Sequence, residues 1–167
     1  SMAALREAKR KGSKVLSIVN VMGSSIAREA DYVLYTWAGP EIAVATTKAY
    51  TTQMTLLLML GVYLAKQLNG IEQEEYAVII RELQDLPEKI SVVMNDLDRY
   101  QKAASRYFNH NSVFYIGRNL DYALGLEGSL KLKEISYIHS ESYAAGELKH
   151  GTISLIEPGT LVVALAT

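Results

Sequence analysis

The chain has 167 residues, is 49% hydrophobic and 21% charged, and carries a net charge of −1 at pH 7. That is enough apolar material for one core or for two halves of larger cores, and the near-balanced charge, with no locally basic stretch, argues against a nucleic-acid partner. Zero cysteines remove disulfides, thiolate metal sites and cysteine nucleophiles together, and fit a reducing compartment.

Ala3–Lys11 reads as a helix stopped by Gly12, its basic run being the solvated helix end. Lys14–Val19 is β-branched and short, a buried strand; Ser24–Glu29 is a short helix and Tyr32–Trp37 a second strand. Gly39-Pro40 breaks the pattern before a long helix over Val44–Gln67. Its apolar run, Met54–Ala65, stops well short of the roughly 18 residues of a bilayer span, so no membrane partner is expected. Gln73–Gln84 is a further helix, Pro87 suits the first turn of the next, which reaches Asn95, and Leu97–Phe108 continues helically. Asn109–Asn111 turns into a strand over Ser112–Gly117, followed by a helix over Leu120–His139. Ser142–His150 reads as a short helix or loop and Leu161–Ala166 as a last strand.

Helices alternating with short strands indicate an α/β fold with parallel sheets and flanking helices. The chain opens on a helix with no strand before it and closes in the apolar Leu161–Ala166 with no helix to cover it. A parallel sheet needs both faces covered, so parts of two domains of a longer protein are expected. The division falls among the helices around residues 88–110, giving 1–108 and 109–167. A charged helix follows the first residues, so no signal peptide is expected.

Helical geometry singles out one cluster. Along Leu120–His139, Leu124, Ile135 and Ile138 share one arc, and Leu126, Leu130 and Tyr137 a second. Glu127, Lys131 and Glu134 fall between them, while Ser129, Lys133 and Ser136 face the other, solvated side. The spacings i,i+4 and i,i+3 suit a salt bridge. Partly buried carboxylates beside an ammonium equally suit proton transfer. The pattern leaves these two readings level.

His110 sits in a turn, exposed or capping, and His139 reads as a hydrogen-bonded structural residue. His150 lies in the glycine-bracketed Gly146–Gly151 segment, where an acid–base histidine could move. None of the three has metal-ligand spacing, and no metal or cofactor is expected. Asn20–Ser25 joins a strand to a helix without a complete phosphate-binding fingerprint, so an ordinary turn is favoured. Thr46 or Thr47 reads as a helix cap, with a hydroxyl or phosphate ligand for Gly39–Lys48 as the alternative.

Three segments carry a family resemblance: LEGSLKLKEISYIHSESYAAGELKHG (Leu126–Gly151), AGPEIAVATTKAYTTQ (Ala38–Gln53) and VNVMGSSIAREAD (Val19–Asp31). Together they resemble the glutamine–fructose-6-phosphate aminotransferases. That resemblance implies two sugar isomerase (SIS) domains following a glutaminase domain, in a cytoplasmic homodimer with a shared site. It implies conversion of fructose 6-phosphate and glutamine to glucosamine 6-phosphate and glutamate. Glu134 matches the residue that shuttles a proton between C1 and C2, and Lys131 the lysine that assists it. His150 matches the ring-opening histidine from the neighbouring subunit. Val44 and Thr46 match positions lining the sugar site, Thr46 standing where serine is common. The resemblance also implies a phosphate-binding loop before residue 1, and a Schiff-base lysine beyond Thr167, so the chain alone is expected to be inactive. A non-catalytic phosphosugar-binding module is the alternative; a fructosamine-phosphate deglycase is disfavoured by the Gly146–Gly151 segment.

Overall fold

The computed structural model describes residues 1–167, which form two compact units, Ser1–Asp85 and Leu86–Thr167. In the first, α1 (Met2–Arg10), β1 (Leu16–Val19), α2 (Ser25–Glu29) and β2 (Tyr32–Tyr35) precede α3 (Lys48–Gln67). α4 (Gln73–Met94) runs across the division between the units. In the second, α5 (Leu97–Tyr107) precedes β3 (Ser112–Gly117), α6 (Leu120–Ser136), β4 (His139–Ala144), two short 3-10 turns (Leu148–His150 and Thr152–Leu155) and β5 (Leu161–Ala164). Every strand pair is parallel: β1 with β2, and β3 between β4 and β5. The expected α/β class with parallel sheets and flanking helices is the observed one.

In the first unit, β1 pairs with β2 in the register Leu16–Tyr32 to Val19–Tyr35. The link between the strands is tied electrostatically. Asp31 accepts from the Val15 amide at 2.9 Å, and Lys9 and Lys14 each stand 3.6 Å from its carboxylate. Those contacts, the Val15 bond first, hold Asp31 below the ordinary carboxylate range. Arg6 of α1 grips Glu29 of α2 through two hydrogen bonds at 2.8 and 2.6 Å, a bidentate fork. Ser24 caps α2, accepting from Ala27 N–H at 3.3 Å. The Asn20–Ser25 segment is therefore the ordinary strand-to-helix turn.

The second unit is built around β3. Val113 and Phe114 are 3% and 4% exposed; being consecutive, they point to opposite faces, so both sides of the central strand are covered. α6 lies on β3 and β4 through small residues. A Cβ added to Gly128 would come 3.2 Å from the Tyr115 ring, and one added to Gly125 would stand 2.7 Å from Ser142 Oγ. At the strand exit, a Cβ on Gly117 would lie 2.5 Å from the backbone of Asp121, so glycine alone admits the first turn of α6 so close to the sheet.

Several expected boundaries move. The helix expected to start at Val44 starts at Lys48, and residues 40–47 are irregular. The two helices expected either side of Pro87 are one, with Pro87 inside α4; a single missing N–H leaves the remaining ladder to carry the helix past it. The helix expected to reach His139 ends at Ser136, where Tyr137 turns left-handed at φ 60°. His139–Ala144, read as helix end and loop, is strand β4, in register with β3 from Ser112–His139 to Gly117–Ala144. Its polar sequence hid it, because only Ser140 of its six residues is buried.

Candidate functional site

α6 carries the charged cluster to partial exposure. Lys131 Nζ lies 2.7 Å from Glu134 Oε2 and 3.4 Å from Glu127 Oε1, with the three side chains 21%, 29% and 22% exposed. The helix spacing alone brings them together, one turn apart on either side of Lys131. The hydrogen bond to Glu134 holds the Lys131 ammonium above the ordinary lysine value; burial opposes it, and the charges of Glu127 and Glu134 add smaller support. Lys131 is thus kept cationic and pins one oxygen of Glu134.

The surroundings of this cluster differ from the helical-wheel expectation. Of the residues expected to be solvated, Lys133 and Ser136 are exposed, but Ser129 is 2% exposed and, with the buried Gly125, lies against the sheet. The expected apolar arcs are the exposed sides, with Leu124 and Leu126 both 48% exposed and Ile135 68%. The cause is close packing: glycine and serine let helix and sheet approach, and a count of large apolar residues overlooks them. The register of α6 on the sheet is held by Ser140 of β4. Its hydroxyl donates to the Ser129 carbonyl at 2.8 Å, and the two hydroxyls lie 2.9 Å apart.

His150 ends the first 3-10 turn and is exposed, its N–H donating to the Glu147 carbonyl at 3.0 Å. It belongs to the same unit as Lys131 and Glu134 but not to their ion-paired group. His139 opens β4, with Nδ1 3.3 Å from Ser112 Oγ and Nε2 3.6 Å from Glu141. His110 is half-buried rather than exposed, its ring 6.0 Å from that of Tyr107. No group of three or more His, Asp or Glu gathers in metal-binding geometry, and no helix is long and apolar enough to cross a membrane.

In the first unit, Val44 is 92% exposed and Thr46 half-buried, both in the irregular segment before α3. Thr47 occupies the N-cap position but makes no side-chain cap bond. One of the free amides is met from further back, by Glu41, whose carboxylate accepts from Ala49 N–H at 3.3 Å. Sequence reading missed both this carboxylate and Asn20. Asn20 stands just after β1 and bonds three points of the chain beyond β2: the Thr36 hydroxyl at 3.1 Å, the Ala38 amide at 2.9 Å and the Gly39 carbonyl at 2.6 Å. The available signal was an asparagine at a strand exit opposite a Gly-Pro break.

Comparison with known proteins adds to this geometry. A family model described as SIS domain matches residues 1–63 and 106–167. Glutamine–fructose-6-phosphate aminotransferase (isomerizing) of Caldanaerobacter subterraneus subsp. tengcongensis is 59% identical over all 167 residues, and that of Clostridium acetobutylicum 56%. The chain spans 28% of the length of each. Among solved structures, the C-terminal domain of glucosamine-fructose-6-phosphate aminotransferase from Francisella tularensis superposes with a TM-score of 0.92 at 36% identity, covering 96% of this chain and 45% of that one. Glucosamine-6-phosphate deaminase of Thermotoga maritima shares the fold, with a TM-score of 0.67 at 24% identity over 98% of this chain and 47% of that one.

Proposed function

Because the chain belongs to the SIS domain family, we propose that it is part of the isomerase region of a glutamine–fructose-6-phosphate aminotransferase. The observation that carries this reading is the unbroken match to such aminotransferases along every residue of the chain. In this reading residues 1–108 close one SIS domain with its linking helices, and residues 109–167 open a second. The longer protein carries a glutaminase domain and works as a cytoplasmic homodimer on a sugar phosphate. Residues 1–167 alone neither hold fructose 6-phosphate tightly nor turn it over.

The chemistry follows from the α6 cluster. Lys131 holds Oε2 of Glu134 at 2.7 Å, which leaves Oε1 to face the sugar. Glu134 takes a proton from C1 of the imine; the C1–H electron pair becomes the C1=C2 bond, and the imine π pair passes to nitrogen, which takes up a proton, giving an enolamine. The same carboxyl then delivers its proton to C2 while the C1 hydroxyl gives up its own and becomes the aldehyde carbonyl. The net change moves one proton from C1 to C2 and one from O1 to nitrogen, and the imine of a ketose becomes a 2-amino aldose. Lys131 stays protonated beside it and steadies the carboxylate before the first transfer and after the second. Glu127 holds Lys131 from the other side, at 3.4 Å. His150 opens the sugar ring from the neighbouring subunit, and Val44 and Thr46 line the sugar.

The test is Glu134→Gln in the longer protein that carries this segment. Glucosamine 6-phosphate formation is expected to fall about 10²–10⁴-fold, the usual contribution of a positioned acid–base group. Binding of fructose 6-phosphate, measured by calorimetry, stays within about threefold, because the amide keeps the shape of the side chain. A parallel loss of binding and turnover would instead mark the cluster as a structural ion pair.

A further inference from the structure

We propose that Asn20 is a positioning residue for sugar binding: its one carboxamide sets the path of the segment that carries Val44 and Thr46. The inference rests on the functional reading above for the role of those two residues, and on the geometry of the first unit for everything else.

Asn20 follows the last residue of β1 and uses both ends of its amide on the far side of β2. Oδ1 accepts from the Thr36 hydroxyl at 3.1 Å and from the Ala38 amide at 2.9 Å. Nδ2 donates to the Gly39 carbonyl at 2.6 Å. The β1–β2 ladder itself runs one step further, with the Thr36 amide donating to the Val19 carbonyl at 3.0 Å. The carboxamide therefore takes over where the ladder stops, and it holds the backbone where the chain leaves the sheet.

What it holds is not a relaxed conformation. Trp37 has φ 54° and Gly39 φ 71°, so left-handed residues flank Ala38, whose amide Asn20 captures. Glycine adopts that region freely, but a bulky aromatic residue does so at a cost of about 1–3 kcal/mol and persists only when its surroundings over-determine it. The Trp37 side chain is 73% exposed, with only a tilted contact to Tyr35 at a centroid distance of 6.0 Å. Packing alone does not hold it. The Asn20 bonds on the following two residues supply the constraint, and downstream Glu41 fastens the same segment to the start of α3. Val44 and Thr46 lie between this fastening and the helix, on a stretch without regular structure. Ala45 between them is 5% exposed, so packing anchors the middle of the stretch, and the clasp sets the direction in which the chain approaches that anchor.

Asn20 does not touch the sugar in this scheme, so its loss weakens binding rather than chemistry. In the longer protein, Asn20→Ala is expected to raise KM for fructose 6-phosphate about tenfold, equivalent to about 1.4 kcal/mol, with kcat within about threefold, since proton transfer on α6 is untouched. Asn20→Asp keeps the acceptor for Thr36 and Ala38 but cannot donate to Gly39, so its KM falls between the two; it also serves as the test if Asn20→Ala does not fold. Thr36→Val, which spares both backbone bonds, stays near wild type. Amide exchange over residues 36–47 speeds up in Asn20→Ala in step with KM. Wild-type KM in a folded Asn20→Ala or Asn20→Asp protein overturns the proposal, as does an equal loss of kcat and kcat/KM. If the wild-type protein itself fails to convert fructose 6-phosphate, the functional reading falls, and this role falls with it.

Discussion

The Ser140 hydroxyl of β4 donates to the Ser129 carbonyl of α6 at 2.8 Å, and the Ser129 hydroxyl lies 2.9 Å from it. Ser140 is 1% exposed and Ser129 2%. The two hydroxyls form a dry link between strand and helix two residues from Lys131, so the register of the charged cluster depends on groups that carry no charge.

The link has an asymmetry that mutation should expose. Ser140→Ala removes the donor to the Ser129 carbonyl and strips the buried Ser129 hydroxyl of its partner, at a cost of about 1–2 kcal/mol. Ser129→Ala leaves the Ser140–carbonyl bond intact and costs less, about 0.5 kcal/mol. Urea unfolding of the two variants measures the order. The reverse order would mean that the Ser129 hydroxyl, not the carbonyl contact, holds the helix.

Lys131 predicts a pH dependence of defined sign. Its folded value is raised above the ordinary 10.5, chiefly by the hydrogen bond to Glu134. A raised value in the folded state means that the stabilisation is complete below 10.5 and is lost as pH climbs through the folded value. Lys131→Gln should therefore show a flatter alkaline decline in urea midpoint than wild type. The difference should shrink in high salt, because these side chains are partly exposed and screened. Identical alkaline slopes would show that the ion pair does not contribute to folding.

A shared site predicts complementation. Subunits carrying His150→Ala and subunits carrying Glu134→Gln are each expected to be inactive alone in the longer protein. Mixed dimers should recover about half of wild-type turnover per mixed dimer, since one of two sites is then intact. The measurement is glucosamine 6-phosphate formation by dimers purified on two different affinity tags. No recovery in verified mixed dimers would place His150 and Glu134 of one site on one chain.

Strand β3 was legible because a β-branched and aromatic run, Ser112–Gly117, sits between a turn and a helix start. β4 was not, because its sequence is polar and its buried member, Ser140, is stabilised by hydrogen bonds that no hydropathy pattern contains. The Glu127–Lys131–Glu134 grouping was legible because α-helical spacing alone creates it. The face on which α6 packs was misread for a physical reason. Gly125, Gly128 and Ser129 contribute little apolar area of their own, and they bury themselves by letting the sheet come close. The Asn20 clasp left only a faint trace, an asparagine at a strand exit opposite a Gly-Pro break, because its partners are 16 to 19 residues away and are mostly backbone atoms.

Trp37 is the chain's single tryptophan, and the fold has placed it in the most informative position available. Its indole is largely in water, two residues beyond β2, with the Tyr35 ring 6.0 Å away as an energy-transfer donor. The chain's tryptophan emission, excited at the red edge where its eleven tyrosines do not absorb, is consequently a single-site signal from the loop that Asn20 fastens. Any event that relaxes or tightens that loop changes the polarity around one fluorophore, so the protein can be followed by light alone, with no label added.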